Sequence, residues 1–152
     1  MSSKTTARKL SRWQHWYRGA LPAYWVYLLC MTHFPRLRLK THVTAADKVA
    51  HVVCFALLAF LFWRFAETFR KPAPPWLVWL TLAWLGLYAA LDEWTQGFVG
   101  RGTDVQDWLA DMLGIMAVLA VLEWRRRAKA ARAAAIPGRR ELLPAQREST
   151  ND

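Results

Sequence analysis

Ten polar residues of this chain have types and spacings that could do chemistry, and all ten lie at the edges of apolar runs. Asp47, Lys48 and His51 open one run. Asp92, Glu93 and Gln96 close the next, and Arg101, Asp104, Asp107 and Asp111 open the last. Carboxylates beside one imidazole can act as general acid and base or ligate a divalent cation, and Lys and Arg can hold a phosphate. At about 100° per residue, the i, i+4 pairs Asp47/His51 and Asp92/Gln96 each fall on one face of a helix. Asp104, Asp107, Asp111 and Gly114 fall within an arc of about 80° if that helix already includes Asp104. Gly114 would let a neighbouring backbone approach beneath the acids.

The elements that position these residues are membrane spans. The chain has 152 residues, 55% of them hydrophobic and ten of them Trp, and its mean hydropathy of +0.04 averages an apolar middle with two polar ends. Pro72 to Leu91 is twenty uncharged residues, about the ~20 needed to cross a bilayer as a helix. Gly19 to Pro35 is a second uncharged run, edged by Trp16 and Tyr17. Val49 to Trp63 continues through Phe69 if Arg64 snorkels, and Trp108 to Leu122 completes the set despite Asp111. The expected fold is all-α, an integral membrane bundle of about four spans near 19–35, 49–69, 75–92 and 108–124. A soluble four-helix bundle is the alternative, but its helices should each carry a polar face, whereas Trp76–Ala90 and Ile115–Leu122 are apolar all round. Pro72, Pro74 and Pro75 separate the second span from the third.

Charge orients the bundle. Of the 21 Lys and Arg, sixteen lie in the N-terminal tail (1–18), the connection between spans two and three, and the C-terminal tail (125–152); only Arg36, Arg38, Lys40, Lys48 and Arg101 lie in the other connections. Lys and Arg accumulate on the cytoplasmic side, so both termini are expected inside and the polar clusters outside. The first run reads as an uncleaved signal-anchor, since Cys30-Met31-Thr32-His33-Phe34-Pro35 offers no small-x-small cleavage site. An Ala/Arg helix continues past Arg125 until Pro137-Gly138, and the last dozen or so residues have a disordered composition. The net charge of +10 does not indicate nucleic-acid binding, because topology and anionic lipid account for the basic residues and the aromatics belong to the spans. Cys30 and Cys54 lie near the outer ends of the first two spans, where a bridge is conceivable, yet both are set in apolar sequence where free Cys behaves as a small hydrophobe.

The ordered set Asp47-Lys48-x-x-His51, then Glu93 and Gln96, then Arg101 with Asp107 six residues on, then Asp111 and Gly114, resembles the VanZ-like membrane proteins, named for a protein associated with resistance to the glycopeptide teicoplanin. The resemblance covers about residues 47–114 and implies a cell-envelope protein of the bacterial inner membrane, with an effect on glycopeptide sensitivity. Many members have Pro-Gly before the Arg, where this chain has Val99-Gly100. Many have Asn followed by a second Gly, where this chain has Asp111 and Val118, which makes its site more acidic.

Three chemistries compete for the cluster. In the first, Arg101, Lys48 and His51 bind the phosphate of a membrane lipid or lipid-linked cell-wall precursor, with the carboxylates orienting them. In the second, the acids ligate a divalent cation or act as general base with His51 as acid or ligand, making a hydrolase or transferase; no HExxH or GxSxG motif supports this. In the third, the network is structural or docks a partner. Each residue also has a plain role: Asp47 could be a helix N-cap, Lys48 could meet headgroup phosphate, and Arg101 could pair with Asp107 or Glu93. Asp111, about one turn inside its span, must be paired, protonated or wetted.

The orientation has a direct test. Single Cys reporters at Thr41 and Thr103, in a background without Cys30 and Cys54, should react with a membrane-impermeant thiol reagent on intact spheroplasts. A reporter at Ser3 should react only after the membrane is opened; the reverse pattern would place the polar clusters in the cytoplasm.

Overall fold

The computed structural model describes residues 11–33, 44–69, 73–99 and 103–135. Among them the regular elements are helical: α1 (Arg12–His33), α2 (Thr44–Ala66), α3 (Leu77–Gln96), a single 3₁₀ turn (Gly97–Val99) and α4 (Val105–Ala134). Arg101, the Pro137-Gly138 stop and the terminal residues expected to be disordered lie outside the described residues. The chain divides into two compact units, Met1–Leu119 and Ala120–Asp152. All the described polar residues singled out above belong to the first; in the second, Glu123 is paired with Arg126 and Arg127.

Helix pairing in the first unit is read from contacts made at successive levels. Tyr24 Oη donates to the Cys54 carbonyl (3.0 Å), and Tyr17 meets Phe60, so α1 and α2 run antiparallel. Thr32 and His33 at the end of α1 reach Asp92 and Thr95 at the end of α3, which makes those two parallel. Lys48 meets Asp104 and Asp107, His51 meets Asp111, and Val52 meets Gly114, so α2 and α4 also run together. Tyr88 packs edge-on to Trp25 of α1 and against Phe55 of α2, with ring centroids 5.0 and 5.9 Å apart, tying three helices at one level.

The burial pattern inverts that of a soluble bundle. The outer faces carry Trp79, Leu80, Trp84, Leu87 and Leu91 of α3 and Leu109, Leu113 and Met116 of α4, all exposed, while Asp92, Glu93, Gln96, Thr81 and Asp111 are buried. Apolar surface outward and polar groups inward is the arrangement that a hydrocarbon solvent favours. By length and composition, α2 from Ala46 to Ala66 and α4 are apolar enough to cross a membrane. The other two helices fall below that measure. In α3 the reason is visible: Trp79, Trp84, Tyr88 and Trp94 count as mildly polar on a hydropathy index although their rings are large apolar bodies, and two acids close the helix.

Two expectations are refined by the helix starts. Asp47 is not an N-cap, because α2 already begins at Thr44 and Asp47 sits inside its first turn. The residue in a capping position is Asp104, which precedes α4: its Oδ1 accepts the Gln106 N–H (2.8 Å) and its carbonyl accepts the Asp107 N–H (2.9 Å). Cys30 and Cys54 are free thiols.

Gly114 sets the spacing of α2 and α4. A Cβ built there would overlap the Val52 carbonyl oxygen and stand 3.0 Å from the Ala56 nitrogen, and backbone cannot swing aside as a side chain could. Gly114→Ala should therefore force the two helices apart, at a cost on the order of 1–3 kcal/mol. Thermal unfolding in detergent, followed by Trp fluorescence, should show a midpoint several degrees lower; an unchanged midpoint would mean that the helices do not meet there.

Candidate functional site

The parallel pairing of α2 and α4 stacks their first two turns, and the site grows from that register. At the rim, Lys48 Nζ donates to Asp107 Oδ1 at 3.0 Å and to Asp104 Oδ2 at 3.3 Å. Its side chain is about one-third exposed (32%), so these pairs contribute modestly to stability and chiefly fix where the ammonium sits. The N–H of Gln106 first, and Lys48 second, hold the Asp104 carboxyl below the ordinary aspartate range. A depressed pKa means that the cap is fully effective above the unfolded value and is lost as pH falls through the folded one.

One turn deeper, His51 Nδ1 stands 2.9 Å from Asp111 Oδ1, and both residues are buried, at 8% and 1% exposure. With Asp111 ionised and the imidazole neutral, Nδ1 carries the proton and Nε2 keeps its lone pair. Nε2 points back toward the rim, 3.8 Å from Asp107 Oδ2, too far for a hydrogen bond. Ligand atoms of Asp47, His51 and Asp107 all lie within 4.8 Å of one another. Asp111 Oδ2 is buried without a hydrogen-bond partner among the described residues.

The acids of α3 divide between two neighbours. Glu93 faces α4 and accepts the Asp104 backbone N–H on Oε2 (3.0 Å), holding the start of that helix. Asp92, one residue earlier and rotated by about 100°, faces α1. Its Oδ1 accepts from Thr32 Oγ1 (3.0 Å) and its Oδ2 from Gln96 Nε2 (2.8 Å), while His33 Nε2 lies 2.9 Å from Thr95 Oγ1. Nine of the ten residues named from the sequence resolve into two groups, and the tenth, Arg101, lies outside the described residues. Asp47, Lys48, His51, Glu93, Asp104, Asp107 and Asp111 gather between α2, α3 and α4. Asp92 and Gln96 join Thr32, His33 and Thr95 against α1. Those last three were not among the site residues named from the sequence: Thr95 lies within the Asp92–Gln96 cluster, and the signal for Thr32 and His33 was a Thr-His pair at the outer end of a hydrophobic run.

The buried dyad yields a stability test. Asp111→Ala leaves the His51 Nδ1–H without an acceptor and should cost about 1–3 kcal/mol. Asp111→Asn keeps an acceptor oxygen in place and should unfold near the wild-type midpoint in detergent. Equal midpoints for all three proteins would deny the hydrogen bond any role in holding α2 to α4.

A family model, VanZ/LLP1, matches residues 2–126, which include every residue of both groups. No curated protein and no solved structure gives a significant match. The match covers most of the chain, and two helices are long and apolar enough to span a bilayer. The chain belongs to the VanZ/LLP1 family and is a VanZ-like membrane protein of the cell envelope.

Proposed function

We propose that the protein crosses the bacterial cytoplasmic membrane four times, with both termini inside, and presents the group around His51 outward to the headgroup of an anionic lipid or lipid-linked cell-wall precursor. The placement of Lys48 carries this reading. Its ammonium has three donors, two of them held by Asp104 and Asp107, and the third has no partner among the described residues. A fixed, partly exposed ammonium at the rim of a membrane site suits a phosphate oxygen. Arg101, outside the described residues, precedes α4 in the sequence and could add a bidentate contact. An effect on glycopeptide sensitivity would follow if the bound headgroup belonged to the cell-wall precursor.

A second reading is favoured by the dyad. His51 is held by a buried carboxylate, and its neutral form with Nδ1–H toward Asp111 has the arrangement of a general base, so a hydrolase or transferase acting on the same headgroup is the competing function.

Mass spectrometry of lipids retained by gently purified protein tests both readings. Wild type should carry a phosphate-bearing lipid that falls at least tenfold in Lys48→Ala and Arg101→Ala. Arg101→Lys, which keeps charge but lacks the planar fork, should abolish most activity in a glycopeptide-sensitivity assay at normal membrane levels. An identical lipid complement in all variants would overturn headgroup recognition, and cleaved or transferred headgroups with wild type would establish the enzyme.

A further inference from the structure

The excess of acid around His51 remains after the headgroup reading. Asp47, Glu93, Asp104, Asp107 and Asp111 surround a single described cation, Lys48, in a site bounded by apolar helices. An anionic headgroup alone would worsen that imbalance. A divalent cation would relieve it.

The geometry is specific about where such a cation would sit. His51 is 8% exposed, and its Nε2 has no hydrogen-bond partner among the described residues. In the neutral tautomer that gives its Nδ1–H to Asp111 Oδ1, the Nε2 lone pair is left for the space shared with the ligand atoms of Asp47 and Asp107. A histidine whose second nitrogen donates to a carboxylate is the usual state of a metal-binding imidazole, because that bond sets the tautomer and raises ligand basicity. Asp107 divides its two oxygens in a compatible way: Oδ1 takes Lys48 and Oδ2 faces Nε2 at 3.8 Å. For bonds of ~2.1 Å, two ligands that far apart subtend an angle of about 130° at the metal, within reach of a distorted tetrahedral or five-coordinate site. Lys48 therefore does not have to leave for a cation to enter.

We propose that Asp47, His51 and Asp107 form a binding site for one first-row divalent cation, such as Zn²⁺ or Mn²⁺, with Asp111 positioning His51 from behind. One imidazole nitrogen and two carboxylate oxygens fit such a borderline or hard ion better than a thiolate-seeking one. Three protein ligands leave coordination positions open toward the rim, where water or a phosphate oxygen could bind. The proposal stands apart from headgroup recognition, since binding of the metal alone is what tests it. The other polar group, Asp92 with Thr32, His33, Thr95 and Gln96, does not compete: both Asp92 oxygens accept hydrogen bonds from within that group.

The experiment uses the full chain, purified in detergent and freed of metal by chelator. Zn²⁺ affinity is measured by competition with a chromogenic chelator, and the ligand set is read from the visible spectrum of the Co²⁺-loaded wild type. Wild type should bind one equivalent, with Co²⁺ bands of four- or five-coordinate intensity. His51→Gln and Asp107→Asn should each lose at least a hundredfold in affinity. Asp111→Asn should lose ten- to a hundredfold while still binding one equivalent, the signature of an orienting group rather than a ligand. Glu67→Gln, which removes a carboxylate paired with Arg64 elsewhere on the chain, should leave affinity within twofold. No saturable binding, a weak hexa-aqua-like Co²⁺ spectrum at one equivalent, or wild-type affinity in His51→Gln would each overturn the site. The spectrum requires no variant, so a substitution that impairs folding does not remove the test.

Discussion

A carboxylate held at 1% exposure, in the second turn of a helix with an apolar outer face, constrains the rest of this structure. Removing Asp111 from water is costly unless a donor is supplied, and the donor comes from α2 as the His51 Nδ1–H at 2.9 Å. That bond fixes the level at which α2 and α4 meet, and together with the Lys48–Asp107 and Val52–Gly114 contacts it sets them parallel. Parallel neighbours cannot be joined by a tight turn, so α3 must carry the chain back between them. Gly114 then allows the two backbones to touch just below the bond, and any larger residue would hold His51 and Asp111 apart. Register and spacing of two helices thus turn on one buried polar pair and one missing side chain.

Stability and chemistry are separated along the same helices. Below the first two turns the interior is aliphatic and aromatic: Leu58 and Ala59 of α2, Leu85 and Ala89 of α3, and Ile115 of α4 are fully buried, with Trp63 nearly so. In a bilayer this packing has little hydrophobic drive, because lipid tails are as apolar as Leu, so close van der Waals fit has to hold the helices together. Small residues at contact points, Gly114 among them, make such a fit possible. The outward Trp and Leu residues of α3 and α4 face the medium that this inverted burial calls for.

Much of this was legible in the sequence, and the exceptions have physical causes. Four helices could be read because long apolar runs favour helix, with α2 and α4 apolar enough to cross a membrane, and the Asp107–Asp111–Gly114 stripe could be read because it follows from helical angle alone. Lys48 as the clamp of Asp104 and Asp107 was not anticipated: the partners lie more than fifty positions apart, and spacing carries no information about which long side chain reaches across. The Asp92-Glu93 pair looked like one acidic cluster because its members are adjacent. On a helix, adjacent residues point about 100° apart, and these two serve different neighbours. Thr32 and His33 were passed over for a related reason, since their role depends on α1 ending level with α3, which local sequence does not specify.

The division between Asp92 and Glu93 also explains why the two polar groups differ in kind. Against α1, the oxygens of Asp92 are taken by Thr32 and Gln96, and a carboxylate so supplied is a fixed part of the frame. Between α2 and α4, the donors run short: Glu93 has the Asp104 N–H, Asp107 has Lys48 on one oxygen, and Asp111 has His51 on one oxygen while its other is bare among the described residues. A structural network evolves toward satisfaction, because each buried polar atom left unpaired costs about 1–3 kcal/mol. Acceptors in surplus beside an imidazole, close to where the α4 backbone at Gly114 meets the α2 backbone at Val52, set this group apart from the satisfied one, and a cation or ligand would supply the donors it lacks among the described residues.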